Sequence, residues 1–225
     1  MVRLVLFDID GTLIRTGGAG MVAFGQTAEL LYGIHGVADK THFHGRTDSS
    51  LVREFFVSNG FAGKYWEIRH FLDAYVYLLD HRMGIQSGEV CSGVIQFIAQ
   101  LNALPVPPVL GLLTGNVRLG AEIKLRPHHL WSHWKVGAFG DDHEDRNQLA
   151  RIAQDRGARL LGSRLPGDDI LIIGDTLLDV ACAQSIGARC LGVGTGGGSP
   201  ESLSRAGARW AVPDLTHIHP SVVCR

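Results

Sequence analysis

The strongest constraint on the fold is a short apolar run that ends in two carboxylates. Residues 4–7 read Leu-Val-Leu-Phe, and they are followed at once by Asp8, Asp10 and then Gly11-Thr12. Four consecutive apolar residues suit a strand that is buried on both faces, as in the middle of a parallel sheet. Because open α/β sheets place their ligands at the carboxyl ends of the strands, we expect both carboxylates to face one cavity.

The two carboxylates also indicate a chemical role. Held close together without a partner, Asp8 and Asp10 would repel each other and resist ionisation. A divalent cation would relieve that repulsion, and carboxylate oxygens are ligands that hard cations prefer. The stretch therefore predicts a metal site together with a catalytic function.

Two further apolar strands end in polar residues in the same way. Residues 109–113 are followed by Thr114, and residues 170–173 are followed closely by Asp175 and Asp179. Because the carboxyl ends of parallel strands point the same way, we expect these side chains to converge on one crevice with the early carboxylates. A carboxylate just after a strand can instead cap the next helix, and for Asp179 both interpretations stay open.

A helical segment separates the first of these strands from the second. Apolar residues recur at helical spacing in three stretches, which are residues 21–32, 50–58 and 64–81. No convincing strand falls between residues 17 and 84, and strands and helices alternate beyond them, which is typical of a parallel sheet with right-handed crossovers. We therefore predict an α/β fold: a doubly wound, Rossmann-like parallel-sheet core of residues 1–16 and 85–225, with an α-helical cap subdomain inserted at residues 17–84.

The alternating part of the chain contains several more predicted elements. Short strands are predicted at residues 136–139, 189–193 and 210–212. Helices are predicted at residues 93–104, 118–125, 147–156, 180–186 and 201–206. No internal repeat accompanies them.

Composition excludes several classes of partner. A net charge of -1 gives no reason to expect binding of nucleic acid or of an anionic membrane surface. No apolar stretch approaches the length of a membrane span, and the early aspartates interrupt the first apolar run too soon for a secretory leader. The cysteines show no metal-binding spacing and suit reduced core thiols, so a cytoplasmic location is expected. The oligomeric state is not indicated.

Three motifs resemble the haloacid dehalogenase superfamily in their order and spacing. They are FDIDGTL at residues 7–13, LLTGN at residues 112–116 and IGDTLLD at residues 173–179. The core resemblance covers residues 1–16 and 86–213. The helical insert after the first motif is similar to the cap of the phosphoglycolate phosphatase-like branch.

The resemblance implies a role for each early carboxylate. Asp8 would be the nucleophile that attacks phosphorus and forms an aspartyl-phosphate. Asp10 would protonate the leaving alkoxide and then deprotonate the hydrolytic water. A Mg2+ cofactor would be bound by Asp8, the backbone carbonyl of Asp10 and Asp175, whereas Asp179 would hold a metal-bound water or steady the loop.

The resemblance also implies a phosphate-binding loop. Thr114 and neighbouring backbone N–H groups, including that of Gly115, would hold phosphoryl oxygens near a helix N-terminus, with Asn116 beside them. The family further expects a basic residue, usually Lys, next to the nucleophile. Arg146 stands where that residue normally falls, and its guanidinium can hold phosphoryl oxygens as a Lys does. Lys124 is the reserve candidate. Its place in the helix predicted at residues 118–125 puts it roughly 12 Å from the end of that helix nearest the site. This distance favours a solvated position.

The segment Gly45-Arg46-Thr47-Asp48 looks like a cap loop that closes over substrate. We expect Arg46 to meet a second anionic group on the substrate, with Thr47 beside it. The alternative is a helix-capping turn that carries a surface arginine, and either Asp48 or Ser49 is expected to cap the helix that follows.

One glycine motif is rejected as a nucleotide site. Residues 192–197 match G-x-G-x-x-G, but they follow a late strand, and Pro200 and a short helix come next. No acidic residue about twenty positions further on is placed to meet a ribose. The loop is expected instead to let the backbone pass close to the active site.

Together these features predict a Mg2+-dependent phosphomonoester hydrolase acting on a small phosphorylated metabolite, of which phosphoglycolate is the family-level example. Asp10 favours phosphoester hydrolysis, because carbon–halogen cleavage needs no protonation of a leaving alkoxide. A β-phosphoglucomutase-like phosphotransferase and a 2-haloacid dehalogenase remain alternatives. A non-catalytic binding protein is disfavoured because Asp8, Asp10 and Asp175 are all present.

Overall fold

The computed structural model describes all 225 residues, and its centre is a six-stranded parallel sheet. The strands of this sheet are β1 (Leu4–Phe7), β4 (Val109–Leu113), β5 (Val136–Ala138), β6 (Ile170–Gly174), β7 (Arg189–Val193) and β8 (Trp210–Val212). Their order across the sheet is β5-β4-β1-β6-β7-β8. The first strand is therefore central, with β4 on one side and β6 on the other.

The alternation of side chains along β1 divides the core into two layers. Val5 and Phe7 belong to one hydrophobic cluster, and Leu4 and Leu6 belong to another. All four residues are fully buried. A strand covered on both faces needs apolar residues at every position, which explains the unbroken apolar run in the sequence.

Helices cover both faces of the sheet. They are α5 (Val94–Asn102), α6 (Arg118–Leu125), α7 (Arg146–Leu161), α8 (Leu177–Ser185), α9 (Pro200–Arg205) and α10 (Pro220–Val223). Helices α5, α6 and α10 pack in the layer of Phe7, whereas α7, α8 and α9 pack in the layer of Leu6. The predicted doubly wound α/β core is confirmed.

Four helices form a separate layer, which we call the cap. They are α1 (Ala19–Tyr32), α2 (Val37–Lys40), α3 (Asp48–Ser58) and α4 (Tyr65–Ile85). Their hydrophobic cluster is rich in aromatic rings, and Phe24 lies 4.8 Å from Phe71 between ring centroids. None of the helices in the protein combines the length and apolarity needed to cross a bilayer.

A short antiparallel pair joins the cap to the sheet. The two strands are β2 (Ile14–Arg15) and β3 (Glu89–Val90), with Ile14 opposite Val90. This pair was not predicted, because two-residue strands carry no periodicity that a sequence can reveal. We propose that it marks the junction between the core and the cap predicted at residues 17–84.

Most helix bounds agree with those predicted from the sequence, but the N-terminal capping residue of one helix differs from the prediction. The sequence suggested Asp48 or Ser49 as the residue that caps the second helix of the insert. In the structure Thr47 caps α3, because its hydroxyl accepts a hydrogen bond from the Ser50 N–H. Asp48 is already the first residue of the helix.

Candidate active site

The carboxyl ends of β1, β4 and β6 open into one cavity between the sheet and the cap. The cavity has a volume of about 440 Å3. Arg146 and Lys124 line it, together with four side chains that the sequence assigned to one crevice: Asp8, Asp10, Thr114 and Asp175. The expected convergence of the strand ends is therefore present in the structure.

Asp8 lies at the bottom of the cavity directly after β1. It is 4% exposed, and its backbone N–H donates to the Ile173 carbonyl at 2.9 Å, which continues the pairing of β1 with β6. Burial raises the pKa of Asp8 to about 8, and the carboxylates of Asp179 and Asp175 add to the rise while the Arg146 guanidinium opposes it. The charged form of Asp8 is thus disfavoured at this buried position.

A cluster of three carboxylates surrounds this point. One oxygen from each of Asp8, Asp175 and Asp179 lies within 4.8 Å of the others. Asp175 is held by the Thr12 hydroxyl at 2.9 Å and by the Gly197 N–H at 2.7 Å. Burial and the Asp179 carboxylate raise the pKa of Asp175 to about 6. Such a set of oxygens is suited to a hard divalent cation.

The glycine-rich loop after β7 passes close to this cluster, as expected. A side chain at Gly196 would place its Cβ 2.0 Å from the Asp175 carboxylate, so only glycine fits there. The next residue, Gly197, supplies one of the N–H groups that orient Asp175. The loop therefore supports the acidic cluster, and it resembles a nucleotide-binding turn only in its G-x-G-x-x-G sequence pattern.

Both carboxylate oxygens of Asp179 accept hydrogen bonds from other residues of the protein. One oxygen accepts from Arg146, and the other accepts from the Thr176 N–H at 3.0 Å and from the Thr176 hydroxyl at 2.6 Å. Thr176 and Asp179 together form a capping box at the start of α8. Both interpretations left open for Asp179 therefore apply: it caps a helix, and it lies in the site.

Arg146 is the first residue of α7 and is buried at 7% exposure. Its guanidinium binds Asp179 and lies 3.4 Å from a carboxylate oxygen of Asp8. The helix begins there because the Asp145 side chain accepts the Asn147 N–H at 2.8 Å. The structure thus places Arg146 beside the candidate nucleophile, where the sequence predicted it.

Asp10 lines the same cavity as Asp8, with its side chain 45% exposed. Its oxygens accept from the Lys124 ammonium at 2.7 and 2.9 Å and from the Asn116 amide at 2.7 Å. Burial alone would raise the pKa of Asp10, but the Lys124 charge and these hydrogen bonds outweigh it and hold that pKa below its usual range. The resting carboxyl is therefore ionised.

The expectation that Lys124 is a solvated residue about 12 Å from the site is wrong. The residue is 4% exposed, and its ammonium also donates to Asn116 Oδ1 at 2.6 Å. The error came from counting only the rise of the helix axis. Helical side chains tilt toward the N-terminus, and the long stem of Lys124 extends back along α6 to the site. Both basic candidates therefore lie at the site, each on a different carboxylate.

The loop after β4 carries the predicted phosphate-binding residues. Thr114 is 1% exposed, and its hydroxyl accepts from the Asn116 N–H at 3.3 Å and from the Asn116 amide at 2.9 Å. Gly115 lies against the cap, and a Cβ there would be 2.1 Å from the Arg46 carbonyl oxygen. The loop is thus shaped by contacts with Asp10 on one side and with the cap on the other.

Two predicted substrate-binding residues of the cap behave differently from each other. Arg46 lines the cavity, but its guanidinium is bound to Glu54 of α3. Thr47 is 1% exposed and is not part of the cavity lining. Its hydroxyl donates to the Glu144 carbonyl at 2.8 Å and caps α3, so we leave Thr47 out of the proposed substrate contacts.

Sequence reasoning missed the aromatic part of the cap lining. Phe24, Phe43 and Tyr75 face the cavity, as does Asp48. Burial raises the pKa of Asp48 to about 6, against the Lys124 charge and a hydrogen bond from the Val117 N–H. Phe24 and Tyr75 sit at helical spacing that also fits a core, and Phe43 lies in a loop, so no signal in the sequence separated them from ordinary packing residues.

The comparisons with known proteins agree with this geometry. Residues 5–193 match the family described as haloacid dehalogenase-like hydrolases. No curated protein matches the chain significantly. The family match includes all three strands that end at the cavity.

Several solved structures share the fold. CbbY from Rhodobacter sphaeroides, in complex with phosphate, is 21% identical with a TM-score of 0.74, and the alignment covers 96% of this chain and 95% of that one. A mutant of the same protein in complex with xylulose-(1,5)-bisphosphate is 20% identical, with a TM-score of 0.75 and the same coverage. A predicted phosphatase from Clostridium acetobutylicum is 21% identical over 99% of both chains, with a TM-score of 0.74.

Proposed function

Because the chain belongs to the family of haloacid dehalogenase-like hydrolases, we propose that it is a Mg2+-dependent phosphomonoester hydrolase that forms an aspartyl-phosphate on Asp8. The observation that carries this proposal is the second carboxylate of the cavity, Asp10, held by Lys124 and Asn116. Cleavage of a phosphate ester needs a group that handles the proton of the leaving alkoxide. Cleavage of a carbon–halogen bond needs no such group, so Asp10 favours phosphate esters.

The acidic cluster fits a divalent cation. Burial raises the pKa values of Asp8 and Asp175 and neighbouring carboxylates add to the rise, so a cation between them would favour their ionised forms. We propose that the carboxylates of Asp8 and Asp175 hold Mg2+ together with the Asp10 backbone carbonyl, and that Asp179 steadies them. The ion would offset the repulsion between Asp8 and the anionic substrate.

The side chains then divide the reaction between them. Asp8 attacks phosphorus, while Arg146, the Thr114 hydroxyl and the N–H groups of the loop after β4 hold the phosphoryl oxygens. Asp10 gives a proton to the leaving oxygen and later takes one from the water that hydrolyses the aspartyl-phosphate. The approach of the phosphoryl dianion favours the protonated form of Asp10 in the first step, because like charges nearby disfavour ionisation. Giving its proton to the leaving oxygen leaves Asp10 ionised, and Lys124 stabilises this carboxylate for the second step.

The neighbours support the substrate class at a coarse level. One solved neighbour contains phosphate and another contains a sugar bisphosphate, and both share the fold of this chain. A small phosphate ester is therefore the substrate that we propose. We also propose a cytoplasmic location, because all four cysteines are buried free thiols.

The test measures phosphate released from a panel of small phosphate monoesters, with Mg2+ and after its removal by a chelator. We expect release from at least one ester and its loss without the metal. Single-turnover reaction in water enriched in 18O should place the label in phosphate and none in the Asp8 carboxylate, because water attacks phosphorus. Halide release from a 2-haloacid with label in Asp8, or no turnover of any ester, would contradict the proposal.

A further inference from the structure

The cavity has two chemically different walls. Its polar side, which we call the floor, comes from the core and consists of Asp8, Asp10, Thr114, Lys124, Arg146 and Asp175. Its apolar side, which we call the roof, consists of Met21, Phe24, Phe43, Leu51 and Tyr75 of the cap, which also contributes His44, Arg46 and Asp48 to the lining. A phosphoryl group held at the floor directs its leaving group toward the roof.

The roof is an aromatic surface. The rings of Phe24 and Phe43 meet edge to face with centroids 5.4 Å apart, and Tyr75 lies 6.3 Å from Phe24. Burial and nearby carboxylates hold the pKa of Tyr75 well above its usual value, so its hydroxyl stays neutral. The roof therefore stabilises a ligand through burial of apolar surface, with a neutral hydroxyl as a polar contact.

The cations of the floor already have carboxylate partners. Arg146 lies against Asp8 and Asp179, and Lys124 is bound to Asp10. These are the groups that the proposed reaction uses on the phosphoryl group and the leaving oxygen. Neither is free to bind a second anion farther from the reacting phosphorus.

The two remaining cations of the cavity are also paired. Arg46 is bound to Glu54, and Arg15 donates to the Thr195 carbonyl at 2.8 Å while lying 3.7 Å from Glu89. Four arginine or lysine side chains line the cavity, and each of them lies against a carboxylate of the protein. A second carboxylate or phosphate on the substrate would meet no unpaired cation under the cap.

From these observations we propose that the preferred substrate carries one phosphate group, on an uncharged alcohol with an apolar or aromatic face. The proposal rests on the function proposed above and names its substrate class. It replaces the expectation that Arg46 receives a second anionic group, because Glu54 occupies that guanidinium. Placing an unpaired carboxylate against the aromatic roof would cost desolvation, whereas an aromatic ring there buries apolar surface.

A matched pair of substrates tests this inference. Benzyl phosphate and 4-carboxybenzyl phosphate have the same leaving-group chemistry and differ in one carboxylate on the ring. We expect kcat/KM to be at least about tenfold higher for benzyl phosphate, the scale at which binding pockets discriminate related substrates. Equal values, or a preference for the carboxylated ester, would overturn the inference.

A variant of the cap identifies the residue that causes the discrimination. Glu54→Gln frees Arg46, so we expect the ratio of the two kcat/KM values to fall about fivefold or more in favour of the carboxylated ester. Glu29→Gln removes the same charge from an exposed position on α1 and should leave the ratio unchanged. A ratio that Glu54→Gln does not move would show that pairing of Arg46 is not the cause, which also overturns the inference.

A wrong assignment of the hydrolase function and a wrong inference about the leaving group would give different experimental results. If neither benzyl ester nor any other monoester releases phosphate, the proposed hydrolase function is wrong. If esters are hydrolysed but the carboxylated ring is preferred, the function stands and the inference about the leaving group is wrong.

Discussion

The floor and the roof of the cavity are built by different means. The floor is assembled from loops after three parallel strands and from helices α6 and α7, and most of its polar atoms are bound by other side chains of the site. The roof is one side of a cluster of aromatic rings on cap helices and on the loop before α3. The floor is suited to one reaction, whereas the roof can change with little effect on the chemistry.

The two parts meet through a short polar seam. The Asp48 N–H donates to the Gly115 carbonyl at 2.8 Å, and the Asp48 carboxylate accepts from the Val117 N–H at 2.9 Å. The Ser49 hydroxyl donates to the Gly140 carbonyl at 2.7 Å. These bonds join the first turn of α3 to the loops that follow β4 and β5.

The largest effect is expected from the floor. Asp8→Asn removes the nucleophile, and we expect kcat for any phosphate ester to fall at least about ten-thousand-fold. The fold should persist, because burial already disfavours the charged form of Asp8. Phosphate release and thermal unfolding measure the two properties. Asp168→Asn, at an exposed position of the core, is the matched control.

Retained turnover in the Asp8→Asn variant would contradict the assignment of the nucleophile. It would also contradict the proposal that residues of the floor carry out the reaction while residues of the roof select the leaving group. Loss of folding in the variant would instead show that the acidic cluster is needed for the core itself.

The floor was largely predictable from the sequence, and the roof was not. A buried strand such as β1 or β6 is marked in the sequence by an unbroken apolar run, and the residue after the run must lie at the carboxyl end of the strand. Asp8 and Asp175 follow from that rule. The resemblance to a known family supplied the roles that the pattern alone left open.

Contacts made by long side chains could not be predicted from the sequence. Lys124 reaches Asp10, and Arg46 is bound to Glu54, through rotamers that a helical pattern does not encode. Phe43 lies in a loop segment without periodicity, so nothing in the sequence connected it with Phe24. The polar seam depends on which backbone groups meet after folding, which is a tertiary property.

The second prediction concerns the seam, through the pH dependence of stability. The pKa of Asp48 is about 6 in the folded protein and 3.8 is its ordinary value. A carboxyl whose pKa is raised on folding destabilises the protein as pH rises between these values. Relative to Asp48→Asn, the wild type should therefore lose about 2 to 3 kcal/mol of unfolding free energy between pH 4 and pH 7.

Urea unfolding of both proteins at the two pH values measures this difference. The exposed Asp39→Asn change in α2 serves as the control and should show no pH-dependent difference. If the wild type and the Asp48 variant changed in parallel with pH, the buried charge at the seam would have no energetic role.

The third prediction tests whether Lys124, one of the two basic residues of the floor, acts on Asp10. Lys124→Met should lower kcat about tenfold, because Asp10 loses the charge that favours its ionised form. The limb of the pH–rate profile that reports Asp10 should move to higher pH, since removal of a nearby cation raises a carboxyl pKa. Lys135→Met, at an exposed position, is the control. An unchanged limb would mean that Lys124 has only a structural role.

The smallest effect is expected where the cap meets the core at the surface. Arg53 of α3 donates to both oxygens of Glu144 at 2.6 to 2.8 Å, yet the side chains are 50% and 36% exposed. A double-mutant cycle with Arg53→Gln and Glu144→Gln should give a coupling of about 0.5 kcal/mol in unfolding free energy, falling as salt rises. The benzyl phosphate kcat/KM should change by less than about threefold, because a surface ion pair contributes little to closure. A salt-independent coupling of about 2 kcal/mol would mean that this pair, rather than the buried seam at Asp48, holds the roof over the floor.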